Sequence, residues 1–465
     1  LILSALALVR SGLLPDNRLI KRRWFTVALA CYLLALLSKP SVVVFPAVLF
    51  VFLWWRRLVR GLRDIGWLAP FCAAALLMAA WTIWEQRVNS GASGFEWSHG
   101  FADRLVTAGR IATFYFGHLL WPHPLIFIYP DLRLSAAEPR AWLPLLAVGI
   151  AFVGIALNRR DWGRPVLAAA AGYLIFLAPI LGFFNVYFMR YAPVADHFQY
   201  LALLAPCALA GALVARVDAW LSARSFSRAI FKWAIFAVLI VYGILSWQHT
   251  HVFQSNELLW RDTVAKNPRA WMAQNNLGLL YWDRGQLDDA ERHFRAALAA
   301  NPRHYEALCN IGAVLLRRGR IAEARDALQQ AIHWEPRLPQ AWFNMGRLHE
   351  KTADWDEAEA AFLRVIDLHP GYAEAHARLA IRYEDVEDPV RALQHHRRAL
   401  ELATPERREW AKFLNQRTAR LISRQRWAMA RAFLDATREM DPDFEETWQL
   451  ESIWHNLLPQ SSHGE

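Results

Sequence analysis

Pro268, Pro302, Pro336 and Pro370 recur at intervals of 34 residues, and Gly278, Gly312, Gly346 and Ala380 keep the same interval. A third series, Ala290, Ala324, Ala358 and Ala392, runs at the same period. Three series agreeing over four units exclude a chance match, and they dictate a stack of like helical pairs. Within each pair the two helices cross closely, so only Gly or Ala fits at the crossing. Larger apolar residues, Phe294, Leu328 and Phe362, then fill the space towards the next unit.

A 34-residue period with small residues on both helices and proline closing the unit is the tetratricopeptide (TPR) pattern. The stretch "SNELLWRDTVAKNP", 255–268, resembles the second helix of a preceding half-unit that docks the array onto the segment before it. Beyond "TPERREW" the pattern loosens, yet "RWAMARAFLDATREMDP" still matches a second helix ending at Pro442. A degenerate fifth unit and a capping helix with a polar outer side are expected there. In the first helix of successive units Asn276, Asn310 and Asn344 recur at 34 residues, and Arg378 takes the fourth place. First helices line the concave wall of such superhelices. The row resembles the asparagine ladder in the repeat domain of O-linked N-acetylglucosamine transferase, where amides hold a peptide backbone. An amide offers donor and acceptor together, so it pairs with a peptide group whatever the side chains are. Two readings stand side by side: a peptide-binding groove, and amides that bond helix ends within the array.

The rest of the chain is written for a different solvent. Hydrophobic residues make up 55% of the 465, with 23 Trp and 26 Phe, yet 20% are charged. Residues 1–248 carry 23 Lys+Arg against 10 Asp+Glu, and residues 249–465 carry 29 against 32, so the excess of +10 comes from the first half. Its cations cluster in short loops between apolar runs at 24–37, 41–55, 67–84, 141–157, 165–184, 200–215 and 233–248. That placement reads as a topology signal rather than a nucleic-acid footprint. Most of the runs are shorter than the ~20 residues of an untilted span.

By the positive-inside rule "NRLIKRR" (17–23), "RRLVRGLR" (56–63), "NRRDWGR" (158–164) and the 216–232 connector with Arg216, Arg224, Arg228 and Lys232 are cytoplasmic. Residues 38–40, 85–140 and 185–199 and everything after 249 then lie outside. A span over "RLVTAGRIATFYFGHLLW", 104–121, would reverse that order, and Arg104, Arg110 and His118 interrupt its apolar face. It reads as an interfacial or re-entrant amphipathic helix on the outer surface. Cys31, Cys72 and Cys207 lie in apolar runs and Cys309 in a repeat, without paired spacing, so neither a disulfide framework nor a metal site is expected. The opening "LILSALALVR" looks like the tail of a membrane helix rather than a signal peptide, which implies a chain lacking its N-terminal portion.

The expected fold is all-α. A polytopic membrane helical domain covers 1–248, a linking half-repeat helix 249–267, four TPR units 268–403, and the degenerate fifth unit with its cap 404–465. The TPR α-solenoid is expected on the extracytoplasmic side of a bacterial inner membrane.

Together, "ALLSKPSVVVFPAVLF", the outer loop ending "FYFGHLLWPHPLIFIYPD", "APILGFFNVYFMRYAPVADHFQYLALL" and the repeats resemble the TPR-containing transmembrane O-mannosyltransferases and their bacterial relatives, members of the C-type membrane glycosyltransferases. The resemblance implies transfer of a sugar, such as mannose, from a polyprenyl-phosphate carrier, the donor substrate, to a protein acceptor presented by the repeats, and it names no cofactor. Such a reaction needs a carboxylate for the acceptor proton and cations for the departing phosphate. In the family that carboxylate lies in the first outer loop, which would be upstream of Leu1, so the resemblance leaves the catalytic base unnamed and implies that the chain as given is inactive alone; Asp196 and His197 are candidates among the residues present. The eukaryotic relatives tend to show Asp-Arg-Tyr at this place, so His197 departs from that form, and its charge depends on Asp196.

Arg190 is the leading candidate for the carrier phosphate, since a guanidinium bonds two phosphate oxygens at once; snorkelling to headgroups is the other reading. Lys39 carries the same two readings, and Asp196 equally reads as the cap of the helix beginning "HFQYL". His118 and His123 do not match a metal-binding helix face, and Tyr129 and Asp131 are expected to face the acceptor. The rival function is a noncatalytic TPR membrane scaffold that recruits protein partners for assembly or secretion.

Overall fold

The structure is a computed structural model that describes residues 1–10, 22–59, 61, 64–90, 97, 99–160, 162–224, 228–403 and 407–457. Every regular element among them is a helix, and the chain divides into two compact units, Leu1–Ala273 and Gln274–Glu465. Most of "NRLIKRR", parts of "RRLVRGLR" and "NRRDWGR", and the first three residues of "TPERREW" lie outside the described residues.

In the first unit five helices are long and apolar enough to cross a membrane: Gly66–Val88, Pro139–Leu157, Gly163–Ile180, Leu204–Ala223 and Arg228–Gln254. Arg23–Ser38 and Pro40–Trp55 are shorter apolar helices. The expected 216–232 connector is mostly helix. The turns of Leu204–Ala223 carry past Arg216, and Arg228 opens the next helix while its Nε donates to Asp218 at 2.8 Å. Neither of these last two helices buries a residue, and Ile230, Trp233 and Leu239 stand open at 76%, 68% and 62% exposure. An apolar surface all round a helix demands an apolar surrounding.

Helix Phe101–Leu120 differs from these. It buries Val106, Ile111 and Tyr115, and a Cβ at Gly109 would come within 2.7 Å of the Leu145 backbone, so glycine alone permits this crossing. Its polar interruptions are only partly a solvent stripe: Arg110 is exposed, whereas Arg104 turns onto backbone carbonyls and the His118 ring stacks on Phe114 at 4.1 Å.

Tyr115, Ile128, Tyr173, Leu177 and Val194 form the core of this unit's loop layer, and Ala270 and Ala273 pack into the same cluster. Helix Asn256–Lys266, started by Ser255 accepting the Leu258 N–H, adds Trp260 and Val264 to it. The linking half-repeat therefore packs with the first unit. Phe127 against Trp260, at 5.6 Å, and Asn267 Nδ2 donating to the Ile128 carbonyl at 3.1 Å fasten it there.

The second unit contains the antiparallel pairs that the 34-residue period dictates. Tyr305–Arg317 pairs with Ile321–Trp334, Pro339–Thr352 with Trp355–Leu368, Ala373–Asp385 with Pro389–Ala403, and Arg407–Ser423 with Trp427–Met440. Glycine does stand at each close crossing, since a Cβ at Gly278 would meet Phe294 at 2.5 Å, at Gly312 Leu328 at 2.7 Å, and at Gly346 Phe362 at 2.7 Å; Phe294, Leu328 and Phe362, expected to fill the space towards the next unit, thus press on the glycine of their own unit because its missing side chain leaves the room. The last helix, Glu445–Leu457, departs from the polar cap expected, because Trp448, Ile453 and Leu457 are exposed on it.

Candidate functional site

Two arrangements carry the candidate residues, one in each unit. In the first, the stretch after Leu181 cannot continue the helix before it. Gly182 has φ +91°, and short 3-10 turns at Tyr187–Arg190 and Asp196–Gln199 follow. Tyr115 pins the second turn: its hydroxyl accepts the Ala195 N–H and donates to the Ala195 carbonyl, both at 3.0 Å. Gln199 completes the clamp by donating to the Tyr115 carbonyl at 3.1 Å.

So held, Asp196 does not cap a helix. Its turn has no side-chain cap, the next helix opens only at Leu204, and its carboxylate Oδ1 accepts the Tyr129 hydroxyl at 2.7 Å instead. The cap expectation fails because a half-buried carboxylate takes the nearest strong donor, here a phenol. His249 Nε2 lies 3.9 Å from Oδ2. Burial pushes the Asp196 carboxyl above its ordinary value, while the Tyr129 hydrogen bond and the imidazoles of His249, His118 and His197 pull it back.

Tyr129 is buried rather than open to an acceptor, and burial, then the Asp196 charge and hydrogen bond, push its phenol up. Asp131 stands apart from this group, ion-paired with Arg133 at 2.9 Å on the surface. His118, passed over as half of a mismatched metal pair, sits in the group: its ring lies edge-on to Tyr129 at 5.6 Å, and its Nδ1 is 3.2 Å from the Phe114 carbonyl. With Nδ1 donating there, Nε2 is a buried acceptor without a partner among the described residues.

His197 packs on Phe188 and Phe198, with ring centroids at 5.9 and 4.5 Å. Burial lowers its pKa first, and the Lys39 charge lowers it further against the pull of Asp196, so Asp196 does not fix a cation here. Lys39 itself is exposed at the end of helix Arg22–Ser38. Arg190, the proposed phosphate ligand, has its guanidinium 5.9 Å from the Trp271 ring, which also packs at a tilt against Tyr191, centroids 5.2 Å apart. The structure thus brings Asp196, His197 and Lys39 into electrostatic reach and adds Tyr129, His118 and His249. Tyr129 was marked in the sequence, though as an acceptor-facing residue, and His118 as a polar residue breaking an apolar face; His249 carried no signal.

In the second unit the asparagine row is part of the wall. Asn310 Nδ2 donates to Asn275 Oδ1 at 3.0 Å, and Asn344 Nδ2 to Cys309 Sγ at 3.4 Å, each reaching back to the preceding first helix. These are bonds within the array. Each uses a single N–H, so the carbonyl oxygens of Asn310 and Asn344 are left over and the amides are fixed in orientation. Asn276 and Asn310 are half-buried and Asn344 is buried. Arg378, in the fourth place, pairs with Glu350 at 3.2 Å.

A tetratricopeptide-repeat family matches residues 257–291 and 275–341, and a second tetratricopeptide-repeat family matches 315–382. These residues form a tetratricopeptide-repeat array. The chain is similar to the solved structures of Pseudomonas aeruginosa PilF, with 17% identity over 47% of this chain and 96% of that one and a TM-score of 0.34. The type IV pilus biogenesis factor PilW matches with 20% identity over 46% and 95% and a TM-score of 0.34, and MamA with 22% over 34% and 91% and a TM-score of 0.29. No curated protein matches the chain. None of these matches is to a glycosyltransferase.

Proposed function

We propose that the repeat array captures an extended protein segment along its first helices, and that the apolar helices of the first unit hold it at a membrane, with the array on the extracytoplasmic side. The observation that carries this reading is the pair of oriented amides, Asn310 and Asn344, in register with Asn276 on successive first helices, because amides fixed in advance cost less to order around a peptide. The open apolar helices and the basic connectors support the membrane placement.

Asn276 gives the cleanest test, since Asn310 and Asn344 also bond within the array. Peptides selected by the full chain in nanodiscs are expected to bind Asn276→Ala about tenfold more weakly, the loss of one or two backbone hydrogen bonds. Unchanged affinity, measured by fluorescence anisotropy, would remove the groove.

A second reading is favoured by the orphaned His118 Nε2 and the raised Asp196 carboxyl: sugar transfer from a polyprenyl-phosphate carrier at the outer loops. In it Asp196 takes the acceptor proton while Arg190 and Lys39 offset the charge of the departing phosphate. Asp196→Asn is then expected to cut sugar transfer from polyprenyl-phosphate-mannose in membranes by about 100-fold or more, with insertion unchanged. Transfer at the normal rate would sink this reading and leave the scaffold.

A further inference from the structure

The inner wall of the repeat array is not uniform along its length. Arg347 lies three residues beyond Asn344 on Pro339–Thr352, hence on the same face one turn on. Its nearest charges are Arg378 on the next first helix, Glu350 on its own, and Arg317 at the end of the preceding first helix. Glu350 is already engaged by Arg378, and Arg317 stands over the Trp282 ring at 5.4 Å. Lys351, next along the chain, spends its ammonium on the Leu316 carbonyl at 2.9 Å. Glu374 is the next acidic residue along this wall, beside Tyr372. Among the described residues no carboxylate or carbonyl comes within bonding distance of the Arg347 guanidinium.

Arg347 and Arg378 thus share the one Glu350 carboxylate on a half-buried surface, with a third guanidinium, that of Arg317, close to Arg347. Burial lowers the Arg347 pKa first, and the charge of Arg378 lowers it further, with Glu350 opposing. The crowding does not follow from a basic composition, because residues 249–465 hold more Asp+Glu than Lys+Arg, 32 against 29. A planar guanidinium with unused donors, beside others of the same charge, is complementary to a carboxylate, which it grips through two parallel hydrogen bonds.

We propose that Arg347, flanked by Arg317 and Arg378, is a carboxylate-binding site in the groove and that the captured segment is acidic, an Asp or Glu side chain seating on Arg347 while its backbone runs past the Asn276 and Asn310 amides. This rests on the groove reading above and adds the chemistry of the occupant. It also gives the crowding a use, since a group retained against its own electrostatic cost is expected where binding needs it.

The test pans a library of random dodecapeptides on the full chain in nanodiscs. The retained pool is expected to be enriched in Asp and Glu. Its members should bind Arg347→Gln about tenfold or more weakly, and replacing the seated Glu of the peptide with Gln should produce the same loss, with no further loss when both changes are combined. Arg347→Lys should recover part of the affinity, and Arg292→Gln, on the exposed face of a second helix, should change nothing. Arg347→Gln should melt no lower than the parent, which separates lost binding from lost folding. A pool without acidic bias, or one bound by Arg347→Gln at full strength, overturns the carboxylate site. If Asn276→Ala still weakens that pool, the groove stands without it; if neither variant matters, or no peptide is retained, both fall.

Discussion

Glu384→Ala is expected to loosen the fourth and fifth repeats by about 3–5 kcal/mol, the cost of removing one partner from a buried ionic group. Glu384 is 4% exposed in helix Ala373–Asp385, and its carboxylate accepts from His396 Nε2 at 2.6 Å and from Arg417 Nε at 3.0 Å. His396 is itself buried, so the variant strands an imidazole and a guanidinium together. Native-state hydrogen exchange on the full chain checks this directly. Opening of 373–385 and 407–423 should become easier by about that amount, with 305–334 little changed, since a stack transmits a defect mainly to its neighbours.

The same cluster sets the response to acid. Burial works against ionisation of Glu384, but the His396 and Arg417 hydrogen bonds outweigh it and hold the carboxyl below its usual range. A carboxylate of this kind contributes stability that is complete above its unfolded value and lost as pH falls through the lower, folded one. His395 responds earlier. Its Nδ1 lies 2.9 Å from that of His376, and burial, with the charges of His376, His396 and Arg391, lowers its pKa to about 4. An imidazole kept neutral in the fold favours the unfolded chain once protonation begins, so stability declines as pH falls from 6.5 towards about 4. The array should therefore loosen in two stages on acidification. His395→Phe should flatten the first and Glu384→Ala the second, and exchange rates that ignored both changes would contradict the cluster's role.

What could be read in advance follows from the range of the interactions. The repeats were legible because each unit meets only its neighbours, so a local period is also a packing rule; that Gly346 stands at a close crossing could be foreseen from spacing alone, but not that Phe362 is what lies against it. The apolar helices were legible from run length, with errors where helix propensity carried the chain past Arg216. The Asp196 site was only half legible. Its turn is short and polar and stands out, but Tyr129 and His249 come to it from far along the chain; Tyr129 was marked only as facing an acceptor, not as a partner of Asp196, and nothing local marks His249. The amides of Asn310 and Asn344 resisted for another reason: one side chain serves the wall and has valence left over, and spacing cannot divide those uses. Arg347 carries no period at all, and only its neighbours on adjacent helices give it meaning.

Arg104 shows what such an interruption is for, and Arg104→Ala has the other large expected effect. Its guanidinium donates to the Gly182 carbonyl at 2.8 Å, the Phe183 carbonyl at 3.3 Å, the Trp97 carbonyl at 2.9 Å and Asn185 Oδ1 at 2.9 Å, while Nε reaches the His99 carbonyl at 3.2 Å. One side chain thus satisfies the polar groups of a loop that has left helical geometry at Gly182. A hydrogen bond to a charged group is worth about 1.5–3 kcal/mol, and the orphaned carbonyls add to the loss, partly relieved where water can reach them. A net cost of about 3–4 kcal/mol follows, which in a unit of this size lowers the melting temperature by roughly 6–16 °C. Tryptophan-fluorescence melting of the full chain in nanodiscs measures it. Arg104→Lys should recover less than half, because an ammonium on a single stem cannot span acceptors placed for a planar fork. The residues just beyond this loop include Arg190 and Asp196, so the variant should also alter the site without touching it. Melting at the parent temperature would mean that the Tyr115 and Gln199 clamp holds this stretch unaided.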